Sequence, residues 1–412
     1  MSTTAEHDSA SVERDFDVYG DEYVQGAAEV WKEMRAKCPV AHSSRNGGHW
    51  LPTAWDDIAA VAYDPENFSS RDIGVAPVPE GVGLLVAPPI TSDPPFHTDA
   101  RRLLLPFFSP KPVEELVEVT RSIARERLDV VAAETGADDG CSGVADAADM
   151  YSKHIPVRVI ARILGLPESD EPDFTRWAVD VLQSRGDEVE RRTNATREVL
   201  HYFGDLTDLR RQERADDLPS KLLDMTLPNG DPLANHHITG ACFLLLLAGI
   251  DTTWSSISAG LYHLAANKTD RERLLAEPEL LPTAIEEFLR AFAPVTMARI
   301  AATDEAEVGG CPVAKGDKVL LPFGAGNRDP AKFDRPDEVI IDRAENRHFA
   351  FGLGIHRCLG SNLARMELKV AIEEWLARFP RFELATEIGR GGIEWGGAQV
   401  RGPRSLHIRV GL

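Results

Sequence analysis

The chain has 412 residues, 43% of them hydrophobic, and a formal net charge of -21. That apolar content is ample for a large core, while the acidic balance excludes general nucleic-acid binding and a polybasic membrane anchor. Five scattered cysteines (Cys38, Cys141, Cys242, Cys311 and Cys358) show no paired spacing, which excludes a disulfide framework or zinc site and points to reduced thiols in the cytosol.

Met1 to Val12 is polar and acidic, without a basic-then-apolar leader. Residues 1–15 are therefore expected to form a disordered tail before one domain spanning 16–412, in a cytoplasmic and monomeric protein. Helical spacing runs from Tyr23 to Cys38. A short strand is expected over His49–Thr53, after Gly47-Gly48, and a helix over Trp55–Tyr63. Residues 72–91 interleave Ile73, Val75, Val78, Val82, Leu84, Leu85 and Val86 with glycines and prolines, the composition of a binding loop or of a covered surface loop. Asp93-Pro94-Pro95-Phe96-His97 then opens a helix, with proline at a tolerated early position. His97 and Arg101 are four apart, so they share a helix face and either grip a common anion or form a solvated basic face.

Residues 111–232 read as amphipathic helices broken at Glu134–Gly143, Pro167–Asp173 and Leu227–Pro232. His236–Ala266 is apolar around nearly its whole circumference, the mark of a buried helix. Its longest apolar run, Ala241–Ile250, is too short to span a bilayer. Within it lies Ala248-Gly249-Ile250-Asp251-Thr252-Thr253, where an acid is costly unless paired or functional. One reading has Thr252 bonding the carbonyl one turn earlier and Asp251 pairing with a base. Further on, Glu287 and Arg290 share a helix face, ordinarily as a surface ion pair. Pro294 to Met297 starts a strand in which Val295 and Met297 face either a pocket or the core. Phe382–Leu384 and Ser405–Val410 alternate as strands, with Trp395-Gly396 at a turn between them.

The most informative stretch is Phe351-Gly352-Leu353-Gly354-Ile355-His356-Arg357-Cys358-Leu359-Gly360, immediately before a helical pattern over Ser361–Phe379. Glycines at 352 and 354 permit backbone angles closed to other residues. Cys358 falls near a helix N-terminus, where unpaired N–H groups favour an anion, so a lowered thiol pKa and soft-metal ligation are expected. Gly360 leaves a bare patch on which a flat ring can rest. This segment resembles the haem-binding signature of the cytochrome P450 family, Phe-Gly-x-Gly-x-His/Arg-x-Cys-x-Gly, at every fixed position. The acid–alcohol helix resembles the family's Ala/Gly-Gly-x-Asp/Glu-Thr motif. The His-x-x-x-Arg pair and Glu-x-x-Arg also occur in the family's order, so the resemblance covers about Tyr23 to Val410.

The resemblance implies a mainly α, single-domain fold with small β-sheets, enclosing haem b between the Thr252 helix and the Cys358 helix. Cys358 is then the axial iron ligand, with Phe351 near the thiolate and Gly360 against the ring. His97, Arg101, Arg299 and His356 hold the propionates. Gly249 leaves room for dioxygen, Thr252 orders water beside it, and Asp251 relays protons, since the reaction needs two proton deliveries. The thiolate favours O–O cleavage. Glu287, Arg290 and Arg343 form a buried structural triad. Leu84, Leu85, Leu244, Leu247, Ala248, Val295, Met297 and Trp395 are the substrate-pocket candidates. The implied activity is monooxygenation: one atom of O2 enters a small hydrophobic substrate, by hydroxylation, O-dealkylation or epoxidation. No flavin or iron–sulfur module follows Leu412, so electrons are expected from a ferredoxin and its reductase, docking around Arg357 and Arg365. A peroxide-driven peroxygenase and a non-catalytic haem protein are the competing readings; the intact Asp251–Thr252 pair argues against the first, and the second has no need of Thr252.

Overall fold

The Asn235–Ala266 helix runs through the middle of the protein. A computed structural model describes residues 16–78, 83–397 and 399–412; the expected tail over 1–15 and residues 79–82 of the apolar loop lie outside the described residues. Among those, Asn235–Ala266 is the one helix long and apolar enough to cross a membrane, yet 72% of its most apolar stretch is buried within the protein. Helices His154–Leu164, Glu171–Leu182, Val189–Gln212 and Ser361–Arg378, together with strand Gly402–Val410, pack around it. Its Ile250, Ile257, Leu261 and Leu264 are fully covered, and each such side chain contributes about 1.5–3 kcal/mol on burial. The helix is thus held by packing over most of its surface.

The expected breaks are where helices stop. Val117–Thr135 ends at Gly136 and His154–Leu164 at Gly165, both left-handed and both donating back into the last turn. A strand, Gly143–Asp146, starts at the last residue of the first break, where the sequence suggests none. It pairs with Gly402–Val410 at the other end of the chain, so no local pattern announces it. Ile393–Gly396 and Glu383–Leu384 pair with the same long strand. Trp395 therefore lies in a strand and not at a turn, just after a register shift between Glu394 and Trp395. A second sheet orders its strands as Val40–Ser43, His49–Pro52, Lys318–Pro322, Thr296–Ala301 and Phe68–Ser69. Its core, with Leu51, Ile58, Leu320 and Phe349, is separate from the one around the central helix.

Glu287 and Arg290 are both fully buried, and their guanidinium–carboxylate contact is bidentate at 2.7 and 2.8 Å. Arg343 donates to the same carboxylate at 3.0 Å. Arg290 also donates to the carbonyls of Asn327, Pro336 and Glu338 at 2.7–2.8 Å, so the pair pins the irregular 327–346 segment to the Leu281–Ala291 helix. Glu287→Gln would leave two buried guanidinium groups without a counter-charge and should cost about 3–5 kcal/mol. Urea denaturation checks this: a loss under about 1 kcal/mol would mean that water reaches the cluster.

Glu367, on the Ser361–Arg378 helix, is 2% exposed and makes no hydrogen bond or ion pair among the described residues; burial alone pushes its carboxyl well above the usual range. A native state that retains this proton after the unfolded chain has released it, above about pH 4.3, loses stability as pH rises, by up to about 1.4 kcal/mol per unit. Glu367→Gln keeps the shape and removes the titration. Its urea midpoint should fall less steeply than the parent's from about pH 5 to 7, and identical slopes would show that Glu367 is ionised in the native protein.

Candidate active site

The cysteine loop is shaped by two left-handed glycines, Gly352 (φ +66°) and Gly354 (φ +63°). At Gly354 a Cβ would stand 2.3 Å from the Ala62 carbonyl, so only glycine lets the loop lie on the Trp55–Tyr63 helix. The Cys358 N–H donates to the Phe351 carbonyl at 2.7 Å, closing the loop two residues before Gly360 caps the Ser361–Arg378 helix. Cys358 is the one cysteine among the described residues that lines a cavity of about 1320 Å³ beside the central helix. Gly360 lines it too, with open space where a Cβ would be. The thiol does not follow the lowered pKa expected near a helix start. Burial pushes it up, outweighing the pull of the Gly360 backbone and of Arg101, Arg357 and Arg365. Phe351 lies beneath Arg365, whose guanidinium is 4.4 Å from the ring centroid and bonds Glu286 at 2.6 and 2.8 Å.

Four nitrogen-bearing side chains gather here, of which Arg101, Arg299 and His356 line the cavity; Glu367, the acid that lines it among the described residues, pairs with none of them. His97 and His356 meet edge to face, 4.4 Å between centroids. Neither His97 ring nitrogen finds a partner of normal geometry, although the Ile355 backbone lies close enough to favour the protonated ring, and His356 Nε2 is also buried without one. Arg101 donates to the Arg357 carbonyl at 2.5 Å, and the buried Arg299 to its neighbour's carbonyl, Ala298, at 2.8 Å. Burial, and then mutual repulsion, holds His97 below the usual range and His356 down to about 2; burial brings Arg299 to about 10. Among the described residues no carboxylate closes an ion pair with any of the four. Buried donors of this kind call for anionic oxygens from a ligand. A flat macrocycle carrying two carboxylates, with a metal over the thiol, fits them and the bare face at Gly360. Haem, when bound there, supplies electron transfer and dioxygen activation.

Thr252 faces this cavity and a second, confluent one of about 1280 Å³ beneath the 83–91 loop. Its hydroxyl donates to the Ala248 carbonyl at 2.7 Å, the contact expected of a threonine inside a helix. Asp251, its neighbour, is fully buried and turned the other way. Its carboxylate accepts from Arg404 at 2.5 and 3.3 Å and from the Gln183 amide. Burial raises its pKa, against the opposing pull of Arg404 and Gln183. Arg404 also bonds Ser255 Oγ at 3.2 Å and the Val400 carbonyl at 3.0 Å, and lies over the Trp254 ring at 4.8 Å. Gln183 and Arg404 escaped the sequence reading: one follows the end of a helix, the other is an arginine on an alternating strand, and nothing local links either to Asp251. Gly249 lines the cavity with its backbone, but a Cβ there would press on Ile160 at 3.0 Å. Contact with the His154–Leu164 helix therefore also favours a small residue at that position.

Of the pocket candidates, Leu244, Ala248, Val295 and Met297 line both cavities, and Leu84, Leu85 and Leu247 line the loop-side one. Trp395 lines neither. It packs against Phe292 and Tyr262, at 6.0 and 5.8 Å between centroids, with Arg401 4.2 Å over its ring; the bulge in its strand turns it into this cluster.

A model of the cytochrome P450 family matches residues 88–387. Mycinamicin IV hydroxylase/epoxidase of Micromonospora griseorubida is 34% identical over 368 residues, which cover 87% of this chain and 89% of that protein. 6-Deoxyerythronolide B hydroxylase of Saccharopolyspora erythraea is 32% identical over 383 residues, covering 90% and 93%. The solved structure of the Bacillus subtilis 168 bacillaene polyketide synthase cytochrome P450 PksS superposes with a TM-score of 0.84 at 31% identity, over 96% of this chain and 99% of that one. The chain therefore belongs to the cytochrome P450 family, whose members bind haem b through a cysteine thiolate, draw electrons from redox partners and use O2 to oxygenate a hydrophobic substrate.

Proposed function

We propose that this monooxygenase binds its haem through Cys358, with His97, Arg101, Arg299 and His356 on the propionates, and oxygenates a small apolar molecule lying against Leu244, Ala248, Val295 and Met297. One observation carries this assignment: Cys358, Arg101, Arg299, His356 and Thr252 all line the same cavity. Thr252 holds the water from which the proton is delivered. Asp251 resupplies that water by swinging away from Arg404 and Gln183, because its carboxylate is fully engaged in the resting arrangement. The protein works in the cytoplasm with a ferredoxin and its reductase as electron source, the pairing that suits relatives of the bacterial enzymes it resembles.

Electron donors dock on the face around Arg357, which is exposed and has no side-chain partner among the described residues. Arg365, the other expected contact, is committed to Glu286 and contributes little free charge.

Thr252→Ala should leave haem binding and reduction intact while product formed per electron pair falls by about tenfold or more, the lost electrons appearing as hydrogen peroxide; Thr252→Ser should retain most coupling. Unchanged coupling in the alanine variant would remove Thr252 from the proton path. Arg404→Gln frees Asp251 from its ion pair, so the solvent isotope effect on turnover should change while the affinity for substrate stays within about twofold. For the docking face, Arg357→Glu should slow reduction by an acidic ferredoxin by about tenfold at low salt, with the deficit shrinking as salt rises. Equal rates in stopped-flow reduction would rule out this face.

A further inference from the structure

The loop-side cavity carries a cation that nothing in the described protein neutralises. Arg192 lies at the start of the Val189–Gln212 helix and lines this cavity. Its Nη2 donates to the Pro77 carbonyl at 3.0 Å, its Nη1 is buried without a partner, and no carboxylate among the described residues closes an ion pair with it. The placement is unfavourable twice over. A cation near a helix N-terminus opposes the helix dipole. A partly buried guanidinium without a counter-charge also bears a desolvation penalty that a partner would offset.

The other charged groups on the wall do not cancel it. Asp72 lies 3.1 Å from Lys318, and Arg71 approaches Asp93 at 3.6 Å. Arg71 and Asp72 on the wall are thus each paired elsewhere, which leaves Arg192 as the charge lining this cavity without a counter-ion among the described residues. Toward Thr252 the wall carries the apolar Leu244, Leu247, Val295 and Met297. The cavity is therefore two-ended: apolar toward the haem side and cationic beneath the loop.

We propose that the substrate is a hydrophobic carboxylic acid, its carboxylate meeting Arg192 and its apolar body extending toward Thr252, so that oxidation falls at a carbon remote from the acid group. This rests on the reading of the joined cavities as the substrate chamber of a haem enzyme. A planar guanidinium with N–H groups to spare matches a carboxylate in geometry as well as charge. An acid anchored there has a fixed end, which limits how far along its chain the oxidised carbon can lie.

The test is an optical titration of the haem-loaded enzyme with medium- and long-chain linear carboxylic acids and aryl-substituted acids, each beside its methyl ester. Acids should shift the haem spectrum at concentrations about tenfold or more below their esters. In Arg192→Gln the affinity for acids should fall to that for esters, which stays unchanged; Arg192→Lys should keep part of the preference. Because the acid-to-ester ratio is read within each variant, a general loosening of the pocket moves both compounds together and leaves the ratio alone. Esters binding as well as acids in every pair, or an acid preference that survives Arg192→Gln, overturns the proposal. So does a panel that shifts nothing while imidazole still gives its own spectral change, an outcome that leaves the haem reading standing. If no haem spectrum forms even with imidazole, the underlying reading fails instead.

Discussion

Asp251 is a fully buried acid halfway along a helix with almost no solvent face, and three separate parts of the chain meet to hold it. Leaving an ionised carboxylate unpaired in such a place is prohibitive, so the surroundings must supply a cation and a hydrogen bond or else force a proton onto it. Arg404 arrives from the last long strand and Gln183 from the end of the Glu171–Leu182 helix. Both also reach the Val400 carbonyl, Gln183 at 3.1 Å and Arg404 at 3.0 Å. The C-terminal sheet, the Glu171–Leu182 helix and the central helix are thereby tied together at one carboxylate. Val181, Leu182 and Val400 also line the loop-side cavity, so what occupies that cavity touches the same segments that hold the acid.

The second electrostatic constraint has the opposite sign. His97, Arg101, Arg299 and His356 crowd together without an acid, and burial and mutual repulsion press the histidines toward neutrality. The Glu287 cluster shows how the protein treats a buried guanidinium that serves only to hold the fold. There Arg290 and Arg343 share a carboxylate, and Arg290 spends its remaining donors on backbone carbonyls. Similar residues are satisfied from within in one place and left open in the other. The open group is the candidate site, and we propose that a ligand supplies its missing partners.

How much of this is legible in sequence follows from how the contacts are distributed along the chain. The cysteine loop is ten consecutive residues whose glycine positions are dictated by backbone geometry, so its shape and cavity-facing thiol follow from a local pattern. The central helix is likewise readable, because an apolar circumference has few structural explanations. The thiol's raised pKa is not readable, since proximity to a helix start is local whereas burial depends on everything packed around it. Arg404 and Gln183 are invisible for the same reason: each meets Asp251 across a long stretch of chain, and only the fold brings them together. Trp395 is misplaced by its sequence because glycines on both sides of a short alternating run look like a turn, whereas pairing with the strand Gly402–Val410 is decided at a distance.

Gly249 shows that one residue type can answer to more than one constraint. Small size at that position is favoured by Ile160, on a neighbouring helix, so the motif is at least partly a packing motif. With Gly249 the central helix lies close against His154–Leu164, and this seats Ala248 and Thr252 one turn apart on the cavity side. The hydroxyl of Thr252 then returns to the Ala248 carbonyl at 2.7 Å, a bond that must loosen before it can donate elsewhere. A threonine that bonds its own helix while lining a cavity is placed where a transient hydrogen bond into that cavity can form. The helix contact at Gly249 and the exposure of Thr252 to the cavity are in this way parts of one arrangement, in which close packing on one side of the helix fixes what the other side presents.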